Sequence, residues 1–364
     1  MRKFVLGFIL IIISSVKSFA NDGSFYASGN QLIPVFETDV AVKKEILTLK
    51  KIRKQFIEVT VYYEFYNPKE EKEITVGFEA FSPVGDVDGR PKNGLHPYMS
   101  DFTVQLNGEI LKYNVAYVTD STYAKNGIIK SKKLADVLNS IEDENNVGFY
   151  YVYYFKAKFR KGLNIIKHTY NYDLSTSVIE DYSFDYVLTA ANRWGNKQID
   201  DFTLVLDMGE FESFNINKDF FKERNDWLIN GFGKSMEVKA AKNKGQDKDA
   251  VKFYMQKGNL IFHKMNFHPT GELFVYAPSH YGDDQPADRI PFSYYRQNEI
   301  KEPKTELDKK ILKNLPFARR GYIFQNAELQ NFFEKQEWYI PNPNYEANVN
   351  MLTDIEKQWV NKWK

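Results

Sequence analysis

A strict alternation over residues 57–66 constrains this chain more than any other feature. Ile57, Val59, Val61, Tyr63 and Phe65 are interleaved with Glu58, Thr60, Tyr62, Glu64 and Tyr66. Side chains on a strand point alternately to two faces, so this period of two sets one face in a core and the other toward solvent. Asn67-Pro68-Lys69-Glu70 then turns the chain. The pattern resumes with Ile74, Val76, Phe78 and Ala80 between Glu73, Thr75, Gly77 and Glu79. Two such runs about a short turn predict an antiparallel pair with one buried face.

The theme continues as far as residue 276. Asn107-Gly108 between two strand-like runs is a hairpin signal, since both central positions of that turn take positive φ. Phe149, Tyr151, Tyr153, Phe155, Ala157 and Phe159 share one face, and Lys161-Gly162 predicts a return along residues 163–172 as the partner strand. Strand-like runs follow at 182–190, 202–206, 260–262 and 272–276. Asn230-Gly231 reads as a turn after Trp227, and residues 239–249 as a polar loop. Residues 120–147 interrupt the strands, with Ser131 predicted to cap a helix whose stripe is Leu134, Val137, Leu138 and Ile141. The chain carries 24 Tyr and 29 Phe, and aromatic residues favour strands.

A different pattern governs the C-terminus. Pro316 predicts a turn or helix break ahead of Phe317-Ala318-Arg319-Arg320-Gly321. Asn326 reads as the N-cap of a short helix reaching about Lys335, with Leu329, Phe332 and Phe333 on one face. Thr353 and Glu356 have capping-box spacing for a last helix, on which Ile355 and Trp359 share a face. The polar run RQNEIKEPKT before this region predicts a linker.

The first 20 residues set the address. Arg2 and Lys3 precede an apolar run from Phe4 to Val16, and Ser18-Phe19-Ala20 offers a small-residue cleavage site. The run falls short of the roughly 20 residues that span a bilayer. The sequence therefore predicts export with cleavage after Ala20. Removal takes away Arg2, Lys3 and Lys17 and moves the net charge from +1 to −2. No basic excess points to nucleic acid. The chain has no cysteine, which excludes disulfides, a thiol nucleophile, Cys-ligated metal and a lipid anchor on cysteine.

No residue pattern marks catalysis. No G-x-S-x-G elbow is present. His263 and His268 are five apart and fall on opposite faces of a strand, which is poor metal geometry. Asp86-Val87-Asp88-Gly89 and the acidic run at 283–288 are fragments of calcium loops without the full ligand series. Gly231-Phe232-Gly233-Lys234-Ser235 ends like a phosphate loop, but Leu228 stands where its first glycine belongs. Catalytic residues, metal and cofactors are each expected to be none.

Residues 305–364 resemble the YARHG domain, a small extracytoplasmic bacterial module. The naming motif stands here as Phe317-Ala318-Arg319-Arg320-Gly321, with Phe for Tyr and Arg for His. Glu328-Leu329, Phe332-Phe333, Trp338-Tyr339 and Pro341 follow the family's pattern. Residues 21–295 resemble a family of secreted β-rich bacterial proteins. That likeness lies in residues 61–68, 76–78, 184–189 and 265–269, with Trp194 and Gly195. Both resemblances imply an address and a fold rather than a reaction.

The expected fold class is mainly β, with antiparallel β-sandwich-like regions followed by a small α-helical C-terminal domain. The expected division is signal peptide 1–20, β-rich region 21–295, linker 296–304 and YARHG-like domain 305–364, with a split of the β region into two subdomains near 120–147 left open. The expected role is a non-catalytic binding or interaction module, exported to the periplasm, cell surface or medium, that meets an envelope or cell-wall component or another envelope protein. The alternative is a secreted hydrolase with an unrecognised active site. Candidate binding residues are Arg319, Arg320, Tyr322, Trp338 and Tyr339, as cations beside aromatics suit an anionic or sugar-like ligand. The competing reading makes Tyr322, Phe324 and Trp338 a small core and has Arg319 fix a turn through carbonyls or Glu356.

Overall fold

Alternating aromatic strands assemble into two facing sheets. The computed structural model describes residues 23–363 apart from 37, 121, 126, 242–246, 280–291 and 294–301. The predicted signal segment and the acidic run at 283–288 lie outside the described residues, as does most of the predicted linker.

The strands of five or more residues are β1 Ala41–Ile52, β2 Phe56–Asn67, β3 Lys72–Ala80, β4 Met99–Leu106, β5 Asn114–Val118, β6 Tyr150–Phe159, β7 Gly162–Asp173, β8 Glu180–Val187, β9 Ile199–Asp207, β10 Glu212–Asn217, β11 Trp227–Val238, β12 Ala250–Phe267 and β13 Leu273–Pro278. The large sheet runs β8-β13-β10-β12-β9-β1-β2-β7-β4, with β11 paired to β12. All these pairings are antiparallel except β9 with β1, where Leu204 faces Leu47 in parallel register. A second sheet runs β5-β6-β3 and is edged by Ile33–Pro34. Strands from either side of residues 120–147 therefore interleave in both sheets.

The predicted pairing of β2 with β3 does not form. β2 pairs with β1 and β7, while β3 pairs with β6 in the other sheet. The same holds for β6 and β7, read as a hairpin from sequence. Both turns carry the chain around a corner between sheets. Asn67 is buried at the first corner and donates to the carbonyls of Glu70 and Phe159. Asn164 is buried at the second, where it accepts from Arg160 N–H and donates to the Arg160 carbonyl. Alternation reports that one face is buried, and two facing sheets satisfy it as well as one hairpin does. The faces meet through aromatic pairs: Phe65 against Phe159 at 5.6 Å and Phe78 against Tyr170 at 4.8 Å.

Residues 29–35 are all buried and thread between the sheets. A buried irregular segment needs partners for its polar groups. The Tyr170 hydroxyl accepts from Asn30 N–H and donates to the Asn30 carbonyl, Trp194 Nε1 donates to the Leu32 carbonyl, and the Gln31 amide donates to Glu45.

Other local expectations fare unevenly. The Asn107-Gly108 hairpin forms, with φ of 51° and 89°. Asn230-Gly231 is no turn: it lies inside β11, where Gly231 faces Gly258 so closely that a Cβ on either would meet backbone oxygen within 2.3 Å. The short helix α1, Leu134–Asn139, has Lys133 at its N-cap, while Ser131 Oγ instead accepts from Tyr117 N–H. Val137 is buried and Leu138 is exposed, so the predicted stripe is narrower than expected.

Candidate functional site

The C-terminal region forms helices α2 Glu306–Arg319, α3 Ala327–Glu334 and α4 Asp354–Lys362. Thr305 and Asp308 form a capping box that starts α2. The helix continues through Pro316, where the sequence predicted a break. A proline lacks the N–H that would serve the carbonyl four residues back, here Leu312. Trp359 Nε1 on α4 donates to that carbonyl at 2.7 Å. The vacant acceptor is thus filled from another helix.

Gly321 ends α2. Tyr322 N–H donates to the Phe317 carbonyl at 3.1 Å and Gly321 N–H to that of Ala318 at 2.9 Å, the two bonds of a Schellman cap. Gly321 has φ of 83°, and a Cβ there would lie 2.3 Å from the Ile340 carbonyl oxygen. The motif Phe317-Ala318-Arg319-Arg320-Gly321 is therefore the last turn of a helix and its cap.

Arg319 is interior, as the structural reading expected, but the carboxylate partner is not its own. Arg320, not Arg319, reaches Glu356. Its Nη1 donates to Glu356 Oε1 at 2.6 Å and to the Pro316 carbonyl at 2.8 Å, and its Nη2 donates to Oε2 at 2.9 Å. This is a two-pronged, charge-assisted contact. Glu356 in turn accepts from Thr353 N–H in the capping box of α4, so one carboxylate ties both helix ends. Arg319 is fully buried, with Nη2 placed 3.5 Å from the Ser293 carbonyl. Burial and, next, the charge of Arg320 lower its pKa to about 9, which leaves it cationic at neutral pH.

Trp338 and Tyr339 are buried too. Trp338 packs against Phe292 and Phe333, and the Tyr339 hydroxyl donates to the Tyr322 carbonyl at 2.7 Å. Tyr322 is half-buried and rests edge-on against Phe324. The five candidate residues are thus gathered in one region, three of them inside it. Asn326 caps α3 as predicted. Ile355 is exposed while Trp359 is buried, so the predicted shared face is replaced by Glu356, Trp359 and Val360.

This module rests on the large sheet. Phe211 and Tyr254 join its apolar cluster, and the Arg320 guanidinium lies 5.0 Å over the Phe211 ring. The Tyr254 hydroxyl donates to Glu337 Oε2 at 2.8 Å, and Lys234 Nζ donates to the Tyr339 carbonyl at 3.3 Å.

A few titratable groups elsewhere are interior. His96 Nε2 contacts the Phe81 carbonyl and its Nδ1 accepts from Tyr98 N–H, a neutral arrangement. Burial lowers its pKa to about 4, and that of His168 likewise. Burial raises Glu45 to about 8, opposed in part by the Gln31 amide. His263 meets Asp201 at 2.9 Å on the surface. Asp88 accepts from Arg90. Among the described residues no three potential ligands are grouped for a metal ion.

A surface cleft of about 410 Å³ opens where the β4 hairpin turn meets β7, lined by Gln105, Asn107, Gly108, Arg160, Leu163, Ile165 and Lys167. Asn107 fixes the rim by donating to Asn164 Oδ1 and accepting from Ile165 N–H. Sequence reasoning missed this place. Its signal, the alternation Leu163, Ile165, Lys167 opposite the turn, reads as ordinary solvent face.

Residues 293–364 match the sequence model of the YARHG domain, so the chain ends in a domain of that family. No curated protein matches this chain. Among solved structures, a Legionella pneumophila protein described as a "putative nutrient binding protein" is similar at 16% identity and TM-score 0.49, over 94% of this chain and 100% of that one. Baculovirus P35 aligns at 14% identity and TM-score 0.28, over 66% of this chain and 98% of that one. An M1 zinc metallopeptidase from Deinococcus radiodurans aligns at 8% identity and TM-score 0.24, over 76% of this chain; the alignment spans 52% of the enzyme. Among the described residues no helix is long and apolar enough to cross a membrane.

Proposed function

We propose that this chain is an exported, non-catalytic binding protein of the bacterial envelope. In this account the β region holds the ligand, and the YARHG module is a fixed structural companion. One observation carries the reading. The open cleft at the β4–β7 rim brings two exposed cations beside apolar and amide groups, whereas the arginines of the C-terminal motif are committed to internal contacts. Small-ligand sites combine an apolar lining with a few placed polar groups. Export rests on the N-terminal signal pattern and on the resemblance of the C-terminal domain to extracytoplasmic modules.

The test is retention of the mature chain, residues 21–364, on washed envelope and cell-wall fractions, with the soluble phase monitored for released fragments. Retention without release is expected. Steady release of cleaved product would favour a hydrolase, and absence of retention on every fraction would remove the binding role.

A further inference from the structure

The corner between β6 and β7 is crowded with lysines, and most have partners. Lys156 pairs with Glu73, Lys158 with Glu71 and Lys161 with Glu70. Arg160 and Lys167 are exposed in the same neighbourhood, yet among the described residues neither side chain makes an ion pair or hydrogen bond. These two line the cleft, and no carboxylate does. The nearest acids in the ladder are Glu64, opposite Ile165, and Glu109, opposite Leu106. Glu64 accepts from the Tyr62 hydroxyl, and neither acid is part of the lining.

The frame is also stiff. Asn164 accepts from the backbone N–H of Arg160, donates to its carbonyl and to that of Gly162, and accepts from Asn107. The backbone positions of Arg160 and of the Asn107-Gly108 turn are therefore set by one buried amide. Leu163 and Ile165 supply an apolar floor, and the Gln105 amide makes no side-chain hydrogen bond among the described residues.

We propose that this cleft binds an acidic sugar unit, with its carboxylate or phosphate held between Arg160 and Lys167, its ring against Leu163 and Ile165, and a hydroxyl at Gln105. A planar guanidinium matches either anion in two-pronged fashion, and a neutral sugar would leave both cations unanswered. This inference rests on the binding reading above and names the ligand class of its site.

Calorimetric titration of the mature chain at low salt tests it with three probes: trigalacturonate for the carboxylate, glucose 6-phosphate for the phosphate and maltotriose as the neutral control. At least one acidic probe should bind roughly ten-fold or more tightly than maltotriose, and its affinity should fall as salt rises. Arg160→Gln and Lys167→Gln should each weaken it by roughly three- to ten-fold with unchanged melting temperature. Equal binding of maltotriose, absence of binding by both acidic probes, or unchanged affinity in both variants would each overturn the proposal. Envelope retention that persists in the double variant, without acidic-sugar binding, would remove this site while leaving the binding role in place. Loss of retention in the wild-type chain would remove the role itself.

Discussion

Trp359 donates its indole N–H to the carbonyl of Leu312, the acceptor that Pro316 leaves unserved. A proline inside a helix costs about 3 kcal/mol or more, partly through that missing bond. The indole recovers the bond and fixes α4 across α2. Trp359→Phe should cost about 1–3 kcal/mol, because a buried carbonyl loses its donor. In a Pro316→Ala background the new backbone N–H serves Leu312, so the same change should cost less. Chemical denaturation of the four proteins measures the difference. Equal costs in both backgrounds would show that the bond contributes nothing.

Arg320 and Glu356 give the second prediction. The Glu356 side chain is 1% exposed, so Arg320→Ala strands a buried carboxylate. The cost should be about 3–5 kcal/mol, read as a lower melting temperature. The double variant Arg320→Leu with Glu356→Leu should recover most of that loss. A ligand-contacting Arg320 would instead show weakened binding with normal melting.

Gly321→Ala should be among the most damaging changes in the module. A left-handed backbone costs a residue with a Cβ about 1–2 kcal/mol, and here the Cβ would also press on the Ile340 carbonyl. Near-ultraviolet circular dichroism, sensitive to Trp338, Trp359 and Trp363, should lose intensity. Full intensity with normal stability would contradict the account of the cap.

Glu45 predicts a pH dependence. Its folded pKa of about 8 lies above the ordinary 4.5. The folded state then holds a proton that the unfolded state releases, so stability is full below pH 4.5 and is lost as pH rises toward 8. His96 and His168 act oppositely, since their folded pKa values are lowered to about 4. Their contribution is complete above pH 6.5 and is lost as pH falls toward 4. Between pH 6.5 and 8 the Glu45 effect should therefore dominate, with stability falling. Glu45→Gln should flatten that decline in urea midpoints. A decline of unchanged slope in the variant would place its origin elsewhere.

Sequence reached the local signals and stopped at the long-range ones. Asn326 and the Thr353–Glu356 box declare helix starts because their partners sit three residues away. The strand faces at residues 57–65 and 149–159 were legible because alternation reports burial directly. Strand partners were not, since alternation is blind to whether the next strand lies beside or across the core. Pro316 misleads for a similar reason: its compensating donor comes from a separate helix. Arg319 and Arg320 are adjacent and chemically alike, and only the helix cap decides which one meets Glu356. Arg160 and Lys167 differ from Lys158 and Lys161 in making no ion pair among the described residues, which is a property of the folded surface.

On the proposed function, ligand meets the β4–β7 rim and the C-terminal motif is internal framework. Amide chemical-shift mapping of the isotopically labelled mature chain, titrated with the acidic sugar that binds most tightly, distinguishes the two places. Shifts are expected at Gln105, Asn107, Gly108, Arg160, Ile165 and Lys167, with residues 317–322 and 338–339 unmoved. Shifts centred on Arg319, Arg320, Tyr322, Trp338 and Tyr339, with the rim unmoved, would contradict it.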